Sequence, residues 1–254
     1  MMRSRNVPKP VSLYSGEGKK TFFLPSGSKW VTSFSPYTPI EAISAPESNS
    51  ANGIYRFHLV RDEGTLDKYR VELAGRDAGI TQYIPYDTQF NVGFNLHIPP
   101  DWQQDNEHEL IWQLHHAPDP EEVGYSNQAP LSLRIIRDKF FVDWHYSTGP
   151  TSYAGFNWES GGSPEFGSIV ANSTIAIAMS YKLSRGHLGT GNFSISLNGA
   201  PAAYSYTGHL GYDDIVGATM KFGIYKARWK PGQDRITTTS ERRYGFSNMT
   251  ITQV

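Results

Sequence analysis

Three short stretches of the 254-residue chain interleave apolar residues with polar groups that can move protons or stabilise charge. Arg70-Val71-Glu72-Leu73 offers a guanidinium and a carboxylate, and Gln113-Leu114-His115 an amide and an imidazole. Lys221-Phe222-Gly223-Ile224-Tyr225 offers an ammonium and a phenol. A positioned imidazole or phenol serves as general base or acid. Amide and guanidinium donors fixed before reaction stabilise negative charge as it develops.

The spacing matters as much as the types. Successive side chains of a strand point to opposite faces, so each polar set shares one face while Val71, Leu73, Leu114, Phe222 and Ile224 share the other. Gly223 is expected to let a ligand approach the backbone. Glu72 is expected to orient Arg70. His116 should point away from His115, so the two would not hold one metal ion. A retaining glycosidase needs two carboxylates at short range, and the chain has no E-x-D-x-E array to supply them.

Those strands belong to a chain dense in strand signals. Tyr55, Phe57 and Leu59 alternate with Arg56 and His58, and Phe90 through Ile98 alternates with Asn91, Gly93, Asn95 and His97. Leu110, Trp112 and Leu114 are expected on one face, as are Leu131, Leu133 and Ile135, and Met220, Phe222 and Ile224. Asp62-Glu63-Gly64 reads as a turn, and Asn198-Gly199 as a hairpin turn. Ala117–Pro130 and Ser147–Gly167 read as long loops of the kind that bind ligands. No stretch carries a sustained helical period. The expectation is an all-β, two-sheet antiparallel jelly roll forming a single domain over 1–254, with 1–20 as an extended N-terminal arm.

Composition agrees and narrows the partners. Fifteen Tyr, 13 Phe and 6 Trp, with 24 Gly and 16 Pro, suit many strands and tight turns. Lys plus Arg number 23 against 24 Asp plus Glu, which leaves no global field for nucleic acid or an anionic membrane. There are no cysteines, hence no disulfides and no thiol nucleophile. The opening residues carry charge without an apolar stretch after it, so no signal peptide is visible, and no run is long enough to span a bilayer.

R-x-E-L, Q-x-H and K-x-G-x-Y, in this order, resemble the motif set of jelly-roll polysaccharide lyases. The resemblance is strongest to the heparin lyase I and glucuronan lyase group, with alginate lyases further off. Val92-Gly93-Phe94 to Pro99, Pro130–Arg134, Leu197-Asn198-Gly199 and Phe222–Tyr225 are also similar, and together these cover residues 50–254. Thr219 stands where alginate lyases carry a tyrosine, and Leu114 where the glucuronan type favours tryptophan.

The resemblance implies β-elimination on a 4-linked uronic-acid polymer. The C5 proton, α to a carboxylate, leaves to a base, and the departing O4 takes a proton from an acid. Tyr225 and His115 are the implied proton-transfer groups. Gln113, Arg70 and His115 are expected to neutralise the uronate carboxylate, with Lys221 or Arg70 making Tyr225 more acidic. Lys221, Arg134 and Asn95 are expected to bind substrate. The implied partner is an anionic polysaccharide met outside the cell, in the periplasm or on a phage. No cofactor is expected in catalysis, and related lyases often hold a structural calcium ion elsewhere. The competing reading is a non-catalytic, lectin-like domain using Trp144, Tyr153, Trp158 and Trp229 as sugar platforms.

Overall fold

The structure, a computed structural model, describes residues 21–23, 29–34, 40–42, 54–61, 69–77, 80–81, 83–117, 119, 128–150, 157–230, 233 and 236–254. The 1–20 arm, the Asp62-Glu63-Gly64 turn, Tyr153 and most of the Ala117–Pro130 loop lie outside the described residues.

In chain order the first eight strands are β1 (Thr21–Phe23), β2 (Lys29–Phe34), β3 (Ile40–Ala42), β4 (Tyr55–Val60), β5 (Arg70–Asp77), β6 (Ile80–Thr81), β7 (Gln89–Ile98) and β8 (Glu109–His115). They are followed by β9 (Leu131–Ile136), β10 (Lys139–Ser147), β11 (Trp158–Gly162), β12 (Glu165–Ser168) and β13 (Ser173–Lys182). The last four are β14 (Gly191–Leu197), β15 (Tyr204–Gly208), β16 (Thr219–Tyr225) and β17 (Glu241–Gln253). Among the described residues the only helical pieces are two single 3₁₀ turns, Gly186–Leu188 and Ala227–Trp229.

The strands form two antiparallel sheets. One runs β1-β2-β5-β16-β8-β9-β10-β11, with β12 also on β10 and β6 on β5. The other runs β15-β14-β13-β7-β17-β4-β3. Neighbours in space are far apart in sequence, as a jelly roll requires. The strand carrying Tyr225, near the chain's end, lies between the strands carrying Arg70 and Gln113.

The core is the layer between the sheets, and period-two patterning builds it. Phe90, Val92, Phe94, Leu96 and Ile98 are all buried, as are Leu131, Leu133 and Ile135, and Met220, Phe222 and Ile224. Phe94 of one sheet meets Phe222 of the other edge-on, with centroids 5.3 Å apart. Each such side chain contributes about 1.5–3 kcal/mol by leaving water. At Asn198-Gly199 both residues take positive φ, 52° and 72°, the twist a tight hairpin turn needs.

Three expectations are corrected. Ser147–Gly167 is not one loop: β11 lies within it and β12 begins in it, and both pair with β10. A Cβ at Gly161 or Gly162 would strike the Trp144 indole, so these glycines seat a strand against a tryptophan and do not mark a turn. Leu110 does not share the core face with Trp112. A bulge between them turns Ile111 inward, leaving Leu110 opposite Tyr225 and Arg134. Asn95 follows Phe94, which faces the core, so its side chain stands on the outer face of the second sheet, across the molecule from the other site residues.

Candidate active site

The remaining site residues meet on the outer face of the ten-stranded sheet, near its centre. Strand register sets the rows. Tyr225 lies opposite Arg70, and Gly223 opposite Glu72. Lys221 lies between Ala74 and Gln113, and Gln113 in turn faces Ser132. His115 sits one row further along, opposite Thr219. The core side chains of the same strands fix this face, because turning it inward would expose Val71, Leu114 and Phe222 together.

Gly223 has a different purpose from the one expected. Its φ is +140°, and a Cβ there would lie 2.1 Å from the Val71 carbonyl oxygen and 2.7 Å from the Glu72 Cα. The close approach is by the backbone of β5, and it coincides with the register shift between Phe222 and Tyr225. Glycine here lets the Tyr225 strand lie against the Arg70 strand.

Glu72 also differs from expectation. Its Oε1 accepts a hydrogen bond from Gln113 Nε2 at 2.5 Å, and both residues are almost fully buried. Glu72 therefore orients Gln113, and it makes no ion pair with Arg70 among the described residues. The Gln113 amide keeps a second hydrogen to donate. Arg70 lies against the Tyr69 ring at 5.5 Å, and its Nε is buried with no hydrogen-bond partner. The Tyr225 ring packs edge-on against Tyr69 at 5.8 Å, and Lys230 Nζ lies 5.8 Å from its centroid.

His115 has a defined tautomer. Its Nδ1 is 2.8 Å from the His116 carbonyl oxygen, which can only accept, so Nδ1 carries the hydrogen. Burial and then the Lys221 charge push its pKa down to about 4. At neutral pH the ring is uncharged, and Nε2 presents a lone pair. That suits a base or an acceptor better than a donor to a carboxylate. His116 does not point away: β8 ends at His115, and the two rings stack at 5.6 Å. His116 is buried against Tyr212, with Nδ1 3.7 Å from Asp214.

Arg134 lies on the same face but is already paired, its Nε 2.8 Å and one terminal nitrogen 3.1 Å from the Asp143 carboxylate. Among the described residues, no group of three or more His, Cys, Asp or Glu is placed to hold a metal ion. Of the tryptophans named for a lectin-like surface, Trp144 and Trp229 are buried in the core, and Trp158 is half-buried.

A buried ionic cluster at the end of β16 went unnoticed in the sequence. Lys226, the residue after Tyr225, is fully buried with Nζ 2.8 Å from Asp105 and 3.5 Å from Glu109. Arg242 Nε lies 2.9 Å from Glu109, which also accepts from Tyr244. Thr237, Thr238 and Thr239 all donate to Asp105. Burial pushes the Asp105 carboxyl up, but the Lys226 charge and these donors hold it below the usual carboxylate range. The cluster ties the end of the Tyr225 strand to the segment before β8. Its one sequence signal was a lysine flanking the K-x-G-x-Y motif.

A family model described as polysaccharide lyase matches residues 38–249. A search of curated proteins gives no match. Among solved structures, the chain is similar to an endo-β-1,4-glucuronan lyase from the fungus Trichoderma reesei. The TM-score is 0.70 and the identity 14%, covering 88% of this chain and 90% of that one. It is also similar to a marine family 7 alginate lyase from Zobellia galactanivorans, with TM-score 0.52, 16% identity, and 93% and 94% of the two chains covered. An alginate lyase of Aplysia kurodai gives 0.51 at 11% identity, covering 85% and 87%. At these identities the likeness is one of fold.

Proposed function

The chain belongs to the polysaccharide lyase family, and from that premise we propose that it cleaves a 4-linked uronic-acid polymer by β-elimination, with Tyr225 moving the proton and no metal at the reacting centre. One arrangement carries the reading. Tyr225, the Arg70 guanidinium, the oriented Gln113 amide and the His115 Nε2 lone pair share one face of one sheet.

Each group has a task that its surroundings suit. Gln113 and Arg70 donate to the uronate carboxylate, where negative charge grows as the C5 proton leaves. The Tyr225 phenol oxygen takes that proton. The C5–H electron pair forms the C4–C5 double bond, the C4–O bond breaks, and the phenol returns the proton to the leaving O4. One group can do both when the C5 hydrogen and O4 lie on the same side of the ring, as in glucuronate or mannuronate. In iduronate or guluronate they lie on opposite sides, and His115 Nε2 then serves as base with Tyr225 as acid. On a glucuronate polymer, His115 accepts a hydrogen bond from the sugar, while Lys221 adds positive charge to the face and Arg134, neutralised by Asp143, is left to offer hydrogen bonds. Likeness to a glucuronan lyase supports glucuronate as the preferred unit. A substrate of this kind is met outside the cell, in the periplasm or from a phage particle.

The test is to incubate the protein with glucuronan, alginate and glycosaminoglycan and follow the ultraviolet absorbance of the unsaturated product. Turnover should be highest on the glucuronate polymer and should survive a chelator. Loss of activity to a chelator with the fold intact, restored by a divalent ion, refutes the metal-free chemistry.

A further inference from the structure

A second polar cluster lies on the same face, two strands from the reacting groups. Trp144 pairs with Leu131, and Leu131 with Leu114. The residues following Trp144 and Leu114, His145 and His115, therefore stand in one row across the sheet, with Pro130 between them. The His145 backbone N–H donates to the Pro130 carbonyl at 3.1 Å, which holds that row together. Strands about 4.8 Å apart separate the two histidines by roughly 10 Å, the span of a short oligosaccharide and more than that of one ring.

The local chemistry repeats that of His115. His145 Nδ1 is 2.8 Å from the Ala129 carbonyl, so Nδ1 carries the hydrogen and Nε2 a lone pair. Burial holds the imidazole below its ordinary pKa, so the ring is uncharged at neutral pH. Trp158 stacks on it at 5.0 Å and 16°. The indole is locked in turn: its Nε1 donates to the Tyr212 hydroxyl at 2.8 Å, and that hydroxyl donates to the Gln128 carbonyl at 2.9 Å. Nothing in the reaction just described uses this pair. The neighbouring Arg134 and Asp143 cancel each other's charge, so the place is not built for a carboxylate.

We infer that His145 and Trp158 form a distal sugar subsite in which the half-buried indole packs on a pyranose ring and His145 Nε2 accepts a hydrogen bond from one of its hydroxyls. The substrate then runs across the strands from β16 and β8 toward β10, and the subsite reads hydroxyls where the centre reads a carboxylate. It rests on the proposed lyase reaction, because the row matters only if a polymer lies along it.

The experiment compares His145→Ala and Trp158→Phe with wild type on a long glucuronate polymer and on the shortest oligosaccharide that wild type turns over. Near-ultraviolet circular dichroism checks the fold. Expected are a rise of about tenfold in KM on the polymer with kcat kept, the size of one lost polar contact, little change on the short substrate, and a shifted product-length distribution. Equal KM changes on both substrates, or unchanged KM and product lengths in both folded variants, overturn the subsite. Wild type inert on every polyuronate overturns the proposed reaction instead, so the two failures are distinguishable.

Discussion

Gln113 Nε2 donates to Glu72 Oε1 across 2.5 Å, between two neighbours of the Tyr225 strand. The bond crosses over Gly223, where the absence of a side chain lets the strands draw together. A carboxylate expected to orient Arg70 thus holds the Gln113 amide in place, and this amide is the donor proposed to meet a substrate carboxylate.

Glu72→Ala should therefore lower kcat by about 10²-fold, the scale of losing one preorganised donor. It should also cost about 1–3 kcal/mol of stability, because the Gln113 amide is left buried without its partner. Steady-state kinetics with a urea melt check both. Unchanged kcat in a folded variant contradicts the orienting role.

Acidification should act on both activity and stability through the half-buried His108 and His115. Burial lowers His115 and His108 to about 4, whereas the unfolded chain titrates near 6.5. As pH falls from about 6.5 to about 4 the unfolded state takes up these protons first, so stability present above 6.5 is lost through that window. Melting temperature measured at pH 7, 5.5 and 4 should fall, and His108→Gln should flatten the slope. The acid limb of kcat/KM on initial rates should lie nearer 4 than 6.5, since free His115 stays neutral until then.

Lys226→Met should destabilise the fold by about 3–5 kcal/mol, because Asp105 and Glu109 lose a cation at full burial. Equilibrium denaturation reads this directly. A loss below about 1 kcal/mol, the scale of an exposed pair, contradicts the buried cluster as the anchor of the strand end.

Much of this arrangement is legible from alternation alone, and the exceptions are physical. Period-two patterning identifies the inward faces of β4, β7, β9 and β16, because a residue on a two-sheet sandwich is either core or surface. It cannot say which sheet a polar face belongs to, and Asn95 and Gln113 look alike in sequence while standing on opposite sides of the molecule. Alternation also fails where the backbone departs from it. The bulge at Leu110 brings an aliphatic side chain beside Tyr225, and the end of β8 lets His116 turn back onto His115. Glycines conceal β11 within the stretch expected to be a loop, since Gly161 and Gly162 add no side chains to an alternating pattern and the Trp144 indole fills the space above them. The Lys226 cluster is assembled from residues more than a hundred positions apart, with no local pattern to announce it.

The most direct measurement is the rate of unsaturated-product absorbance on a glucuronate polymer for wild type, Tyr225→Phe and His115→Ala, with folding confirmed for each. On the proposed mechanism, in which Tyr225 takes and returns the proton, Tyr225→Phe should lose about 10²–10⁴-fold in kcat. His115→Ala, which loses a hydrogen-bond acceptor on this epimer, should keep a measurable remnant. Near-normal kcat in Tyr225→Phe beside a dead His115→Ala would contradict the assignment of Tyr225 as the central acid–base group.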